Sequence, residues 1–264
     1  MDADSEILVN FKTVQGTTIK GLFESLKEIL NDVNIKFDST GMKITAMDGN
    51  KCACIHINLD SNKFEVYNFN SQKPVIAGVN MSSIYKLVKT IGTHDTVCFT
   101  IYKKTPYELH IYFANDVKNT STTSILKLLD IDEDIYSIPD VEFNSQINMP
   151  SVDFQKYCRD LSVIADVVHI KSSSSLLQFI AKGDFASQRI DINQTSNGMT
   201  IAKFSNNNTI TGNYSLKYLN LFTKSTNLSN VVEIYLMNNY PLILVYYVGN
   251  LGKLQYCLAP KTEN

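Results

Sequence analysis

Lys20 and Lys27 stand seven residues apart, as do Lys217 and Lys224, while Lys86/Lys89 and Lys156/Arg159 stand three apart. Both spacings return a side chain to the same side of an α-helix. Each pair flanks an apolar stripe without entering it. A Lys or Arg held this way contacts phosphate: it supplies charge without reading bases, and the contact weakens steeply with salt. Glu24, Asp153 and Asp160 dilute the field of two of the four segments. One such pair alone would be an ordinary solvated helix face. Four pairs at matching places imply a built surface for a nucleic-acid backbone. The chain holds 24 Lys and Arg against 26 Asp and Glu, a formal net charge of −2. Positive charge must therefore be gathered on one surface while acid lies elsewhere. Few exposed aromatics accompany the basic residues, which disfavours a stacking platform for single strands.

Other chemistry is weaker. Cys52, Cys54 and His56 alternate and would share one face of a strand. Three such positions span roughly 13 Å at about 3.3 Å per residue, whereas tetrahedral zinc needs converging ligands and usually a second cluster. The expectation is pocket wall or sheet packing, and no metal. Asp130, Asp132 and Asp134 alternate without the glycine and terminal glutamate of a calcium loop. There is no Gly-rich phosphate loop, no H-E-x-x-H stretch and no nucleophile–base signature. The expectation is a protein that is not an enzyme and carries no cofactor.

The basic pairs sit on a repeated unit. Residues 10–127 and 144–264 each open with an amphipathic helix, pass through alternating strands and reach a second helix at a similar offset. The predicted helices are 17–33, 81–91, 151–165 and 215–225. Ile19, Leu22, Phe23, Leu26, Ile29 and Leu30 make the stripe of the first. Predicted strands of the first half are 35–38, 42–47, 51–59, 64–69, 75–79, 96–102, 107–113 and 120–129, separated by turn signals such as Asp48-Gly49-Asn50. A repeat of this kind points to one surface built twice for an extended, regular partner. The fold class is α+β with two similar domains, 1–127 and 144–264, joined by a connector over 128–143. That connector is acidic yet carries Ile135, Tyr136 and Ile138, apolar residues that a pure spacer does not need.

Five cysteines, an odd and scattered number, do not make a disulfide framework. The acidic opening MDADSEILVN lacks the order of a signal peptide, and the apolar run 240–248 is too short to span a bilayer. A soluble protein of a reducing compartment, not secreted and without a membrane partner, is expected.

Several segments resemble the proliferating cell nuclear antigen family of sliding clamps: CRDLSVIADVV (158–168), YSLKYLNLFTKST (214–226), GVNMSSIYKLVK (78–89), LQYCLAPK (254–261) and LLDIDEDIYSIPDVEF (128–143). The similarity runs in register from about Phe11 to Lys261. It implies a homotrimeric ring of subunits with two similar domains each, helices lining a channel inside outer antiparallel sheets. Such a clamp encircles duplex DNA without sequence preference and gives processivity to a DNA polymerase. It docks a clamp loader and other replication and repair proteins through a short peptide.

The resemblance places Lys20, Lys27, Lys86, Lys89, Lys156, Arg159, Lys217 and Lys224 at channel-facing positions, while one further basic position of the family falls on Gly21. The partner groove maps onto Met47, Lys51, Cys52, Cys54, Tyr136, Ile138, Pro139, Pro241, Cys257, Ala259, Pro260 and Lys261. Cys257 stands where relatives commonly carry tyrosine, and Cys52 and Cys54 where aliphatics are usual. The lysine that relatives use for ubiquitin-type modification falls on Ser174, with Lys171 nearby. The subunit seam is expected between the strand around 120–128 of one subunit, with Ile125 and Leu126, and that around 185–193 of the next, with Ile190 and Ile192. A nuclear address, or a viral replication site, follows from the family alone. Two other readings use the same fold: a processivity factor that lies on DNA without enclosing it, and a subunit of a hetero-oligomeric checkpoint-type clamp.

Overall fold

Short apolar/polar alternation dominates the chain, and it produces strands. The computed structural model describes residues 6–132, 141–205 and 209–261. In chain order these carry β1 (Ile7–Thr13), α1 (Gly16–Leu26), β2 (Asp32–Asp38), β3 (Gly41–Met47), β4 (Ala53–Asp60), β5 (Val66–Phe69), β6 (Val75–Asn80), α2 (Met81–Val88), β7 (Thr96–Tyr102), β8 (Thr105–Asn115) and β9 (Thr120–Lys127). There follow β10 (Ser145–Pro150), α3 (Ser151–Ser162), β11 (Val167–Ser172), β12 (Leu176–Lys182), β13 (Ser187–Asn193), β14 (Thr200–Phe204), β15 (Ile210–Ser215), α4 (Leu216–Phe222), β16 (Val231–Leu236), β17 (Leu242–Val248) and β18 (Gly252–Leu258). The chain divides into two units: residues 1–46, 56–136 and 248–254, and residues 47–55, 137–247 and 255–264. The predicted split at 128–143 is therefore crossed by two exchanges, since β4 and β18 each contribute residues to both units.

In the first unit, antiparallel strands run in the order β5-β1-β7-β8-β9, and β3, β2 and β6 are successive neighbours. Helix α1 buries Ile19, Leu22, Phe23 and Leu26, and α2 packs beside it. Phe11 of β1 stacks on Phe99 of β7 with ring centroids 4.8 Å apart, giving the core an aromatic floor. The side chain of Asn80 caps α2 by accepting from Ser83 N at 2.9 Å. Gly78 in β6 lets the chain past β9 approach closely: a Cβ there would stand 2.2 Å from the Leu129 carbonyl, whose own N–H bonds to Gly78 O at 2.8 Å.

The second unit repeats the plan. Its strands run β13-β12-β11-β15 and β14-β10-β16-β17. Phe154 of α3 and Leu219 and Phe222 of α4 are fully buried. Phe222 stacks on Tyr256 of β18 at 4.3 Å, and the Tyr256 hydroxyl meets Ser225 Oγ at 2.7 Å. Burial raises the Tyr256 phenol well above its ordinary pKa.

All four predicted helices form, each shorter than its apolar period implied. α1 ends at Leu26, not Val33, because the chain tightens there: Ile29 N and Leu30 N both bond to Leu26 O. β2 then starts at Asp32, and Val33 continues the apolar pattern at the strand period. α2 ends at Val88, with Lys89 as its cap. α4 ends at Phe222 and passes into a 3-10 turn over Thr223–Leu228. The hairpin strand β8 starts at Thr105, so its turn is only Lys103-Lys104.

Candidate nucleic-acid interface and partner groove

In the first unit, Lys20 lies on α1 and Lys86 on α2, while Lys27 and Lys89 are the C-cap residues of the two helices. Cations at helix C-termini are favoured by the exposed carbonyls of the last turn. Lys20 is partly committed, donating from Nζ to the Ile91 carbonyl at 3.0 Å. Lys27 pairs with Glu28 at 2.7 Å and stands 4.7 Å from the centre of the Tyr85 ring, and the Tyr85 hydroxyl donates to Glu24 at 2.8 Å. The hydrogen bond from Lys27 to Glu28 raises the Lys27 pKa, so the ammonium stays charged. Lys86 and Lys89 are exposed. No carboxylate lies within ion-pair distance of either among the described residues.

The second unit offers Lys156 and Arg159 on α3, Lys217 on α4 and Lys224 in the 3-10 turn that follows, all exposed. Asp160 accepts from Lys156 at 2.7 Å and lies 4.0 Å from Arg159 Nε. The hydrogen bond to Asp160 raises the Lys156 pKa. Gln155 ties α3 to the end of α4 by donating to Thr223 O at 2.9 Å. Each unit thus presents a braced helix pair with four basic side chains. Gly21, the thinned position, lies on α1 and is half-buried.

The groove positions assemble partly in the second unit. Asp48 is the organiser, and sequence reasoning passed over it as a turn residue. Its Oδ1 accepts from Cys52 N and Ala53 N, each at 2.7 Å, and its Oδ2 from Asn50 N at 3.0 Å and the Tyr218 hydroxyl at 2.5 Å. Burial pushes the Asp48 pKa upward, but these donors, led by Tyr218, outweigh it and hold the carboxyl below its ordinary value. Burial and Asp48 together push the Tyr218 phenol up to about 12. The loop needs this support because Lys51 adopts a left-handed φ of 56°. That kink delays β4 to Ala53, two residues later than predicted.

Lys51 and Cys52 are exposed on this loop. Cys52 O accepts from Ala259 N at 3.0 Å, and Lys261 N donates to Asn213 O at 2.8 Å, so the 259–261 tail, including Pro260, is laid against loop and sheet. Cys54 on β4 and Cys257 on β18 are half-buried. Met47 ends β3, and Pro241 precedes β17. Tyr136, Ile138 and Pro139 lie outside the described residues.

The metal reading of Cys52, Cys54 and His56 gains no ligand. His56 instead meets Thr45 Oγ1 through Nδ1 at 2.8 Å, and the described residues hold no group of three or more metal-binding side chains. Ser174 is exposed in the turn between β11 and β12, and Lys171 is half-buried on β11.

The seam residues fall on edge strands. β9 ends one sheet order and β13 another. Leu126 lies opposite Leu109, and Ile190 and Ile192 lie opposite Phe179 and Leu177, so these three share the core face of their sheets. Ile125 lies opposite His110 on the other face and is 54% exposed.

Two braced helix pairs, a buttressed loop and two open sheet edges are thus present when the chain is compared with known proteins. Residues 8–136 match the family described as proliferating cell nuclear antigen, N-terminal domain, and residues 137–261 its C-terminal domain. The chain belongs to the proliferating cell nuclear antigen family. It is 38% identical over 261 residues to the probable DNA polymerase sliding clamp 1 of Paramecium bursaria Chlorella virus 1, covering 97% of this chain and 98% of that protein. No helix among the described residues is long and apolar enough to cross a membrane.

Proposed function

We propose that the protein is a non-enzymatic DNA sliding clamp that works at a viral or nuclear replication site. It closes as a homotrimer around duplex DNA and tethers a DNA polymerase. The observation that carries this reading is the recurrence of a braced helix pair with four basic side chains in each unit of a chain that is acidic overall. The eight cations lie in helical segments holding only Glu24, Glu28, Asp153 and Asp160 as acids. The remaining 16 of the 24 basic residues are set against 22 of the 26 acidic ones. Weak, sequence-blind phosphate contacts suit a partner held by topology. The groove of Met47, Lys51, Cys52, Cys54, Pro241, Cys257, Ala259, Pro260 and Lys261, with Tyr136, Ile138 and Pro139 of the connector, is the docking site for the peptides of clamp loader and polymerase. Circular DNA loaded by a clamp loader tests the reading. Protein retained on closed circles at moderate salt, and lost when the circle is linearised, is the expected result. Equal retention on both forms would overturn encirclement.

A further inference from the structure

Three of the five cysteines lie at the groove, and two of them face each other. β4 and β18 are hydrogen-bonded neighbours. At one end of the pair Ala259 N donates to Cys52 O at 3.0 Å, and at the other Asp60 N donates to Leu251 O at 2.9 Å. Both bonds give one antiparallel register, in which stepping two residues inward from Cys52 and Ala259 sets Cys54 opposite Cys257. Directly opposite residues project from the same face of a sheet, with Cα atoms about 5.5 Å apart at a hydrogen-bonded position. That separation is within the roughly 4.4–6.8 Å that a disulfide spans. An independent sign of proximity is that Cys54 contributes electrostatically to the raised pKa of Cys257.

We propose that Cys54 and Cys257 are a redox couple that closes into a cross-strand disulfide and thereby alters peptide docking in the groove. Oxidation by a low-molecular-weight disulfide balances as two exchanges. The Cys257 thiolate attacks one sulfur of the reagent and expels one thiolate. The Cys54 thiolate then attacks the Cys257 sulfur of the mixed disulfide and expels the second. Two protein thiols are oxidised and the reagent disulfide is reduced to two thiols, the two expelled thiolates taking up, through solvent, the two protons that Cys54 and Cys257 give up. Gln255 sits two residues before Cys257 and donates from Nε2 to its sulfur at 3.6 Å, which favours the attacking thiolate. Burial works against it, raising Cys54 and holding Cys257 at about 11, so the exchange is slow at neutral pH and quickens toward alkaline pH.

The other thiols are less well placed. Cys158 is buried in α3, Cys98 lies on β7 in the first unit, and exposed Cys52 is opposite Ala259. A bond drawing β4 and β18 together would act directly on the sulfur atoms offered to a docked peptide. That consequence rests on the groove assignment; the disulfide itself does not.

The test treats the full chain with oxidised glutathione at pH 8.5 under native conditions, followed by non-reducing peptide mapping. The expected product is a Cys54–Cys257 linked peptide, two hydrogens lighter than its parts and reversed by dithiothreitol. It should vanish in Cys54→Ser and in Cys257→Ala and persist in Cys52→Ser and Cys98→Ser. Circular dichroism of each variant separates lost chemistry from lost fold. Stable glutathione adducts on separate cysteines, or a link through Cys52, would overturn the couple. Titrating both redox forms with a fluorescent peptide of the family's docking type is the second arm. At least a tenfold difference in affinity is expected between the two forms. Equal binding would overturn the regulatory part, whereas absence of binding in both forms, with the link present, would overturn the groove assignment and leave the couple standing.

Discussion

Protonating Asp48 removes the acceptor of two backbone N–H groups, one further amide and a phenol in a single step. Its folded-state pKa lies below the ordinary 3.8. The stability it contributes is therefore fully present above that value and is lost as pH falls through the lowered one. Asp48→Asn keeps the size but cannot satisfy every donor, so a loss of about 2 kcal/mol is expected at pH 7. The gap to the unaltered protein should shrink as both are acidified below about pH 4; urea unfolding at pH 7, 5 and 3 measures it. A gap that widens with acid would refute the role. Tyr218→Phe removes the leading donor to Asp48 and should cost about 1 kcal/mol, a smaller gap that likewise narrows as Asp48 is protonated. Neither residue was legible in the sequence as anything but a turn and a helix position, because 170 residues separate them. A short-range pattern marks Asp48-Gly49-Asn50 as a turn and says nothing of the hydroxyl that completes it.

At the scale of elements, apolar periodicity located the four α-helices of the described residues but overran their ends. Ile29, Leu30 and Val33 satisfy a helical spacing and are nonetheless a turn and a strand, because nearby Asn31 and Asp32 favour leaving the helix and the chain tightens onto Leu26 O. The overrun matters functionally, since Lys27 and Lys89 become caps and Lys224 a 3-10 residue. The basic residues thus fall into two kinds. Lys20 braces α1 through the Ile91 carbonyl, whereas Lys86 and Lys89 are exposed and, among the described residues, have no carboxylate within ion-pair distance. The double variant Lys86→Ala/Lys89→Ala should leave the melting temperature nearly unchanged. It should lower the slope of log affinity against log salt by about 1.8 for duplex DNA, at about 0.9 per phosphate contact. Lys20→Ala should instead cost about 1 kcal/mol of stability. Fluorescence anisotropy across a salt series, paired with calorimetry, reads both. An unchanged slope in the double variant would remove α2 from the DNA surface.

For the whole molecule, the open question is what covers the edges of β9 and β13. An uncovered edge strand with unpaired backbone groups invites pairing with another chain, and here both edges also carry apolar side chains. Ile190 and Ile192 sit half-exposed at the rim of one core, Leu126 at the rim of the other, and Ile125 stands out on the opposite face. Their types and alternation were legible in the sequence. Their position at an edge was not, because an edge is defined by which strands fail to gain a second neighbour. If β9 of one copy takes β13 of the next, light scattering should give a species near three times 29.7 kDa that survives dilution. Ile125→Asp adds a charge without disturbing either core, and Ile190→Lys places one at the rim of β13. Each should lower the mass to that of a monomer with its thermal transition largely kept, and each should abolish retention on circular DNA while sparing weak, salt-sensitive binding to linear duplex. The two losses should coincide, since a clamp opened at its seams keeps its phosphate contacts and loses only its topological hold. A protein that remains monomeric at every concentration without either substitution would sink the self-assembled ring. Retention on circles by a folded monomeric variant would show that enclosure is not what holds the protein on DNA.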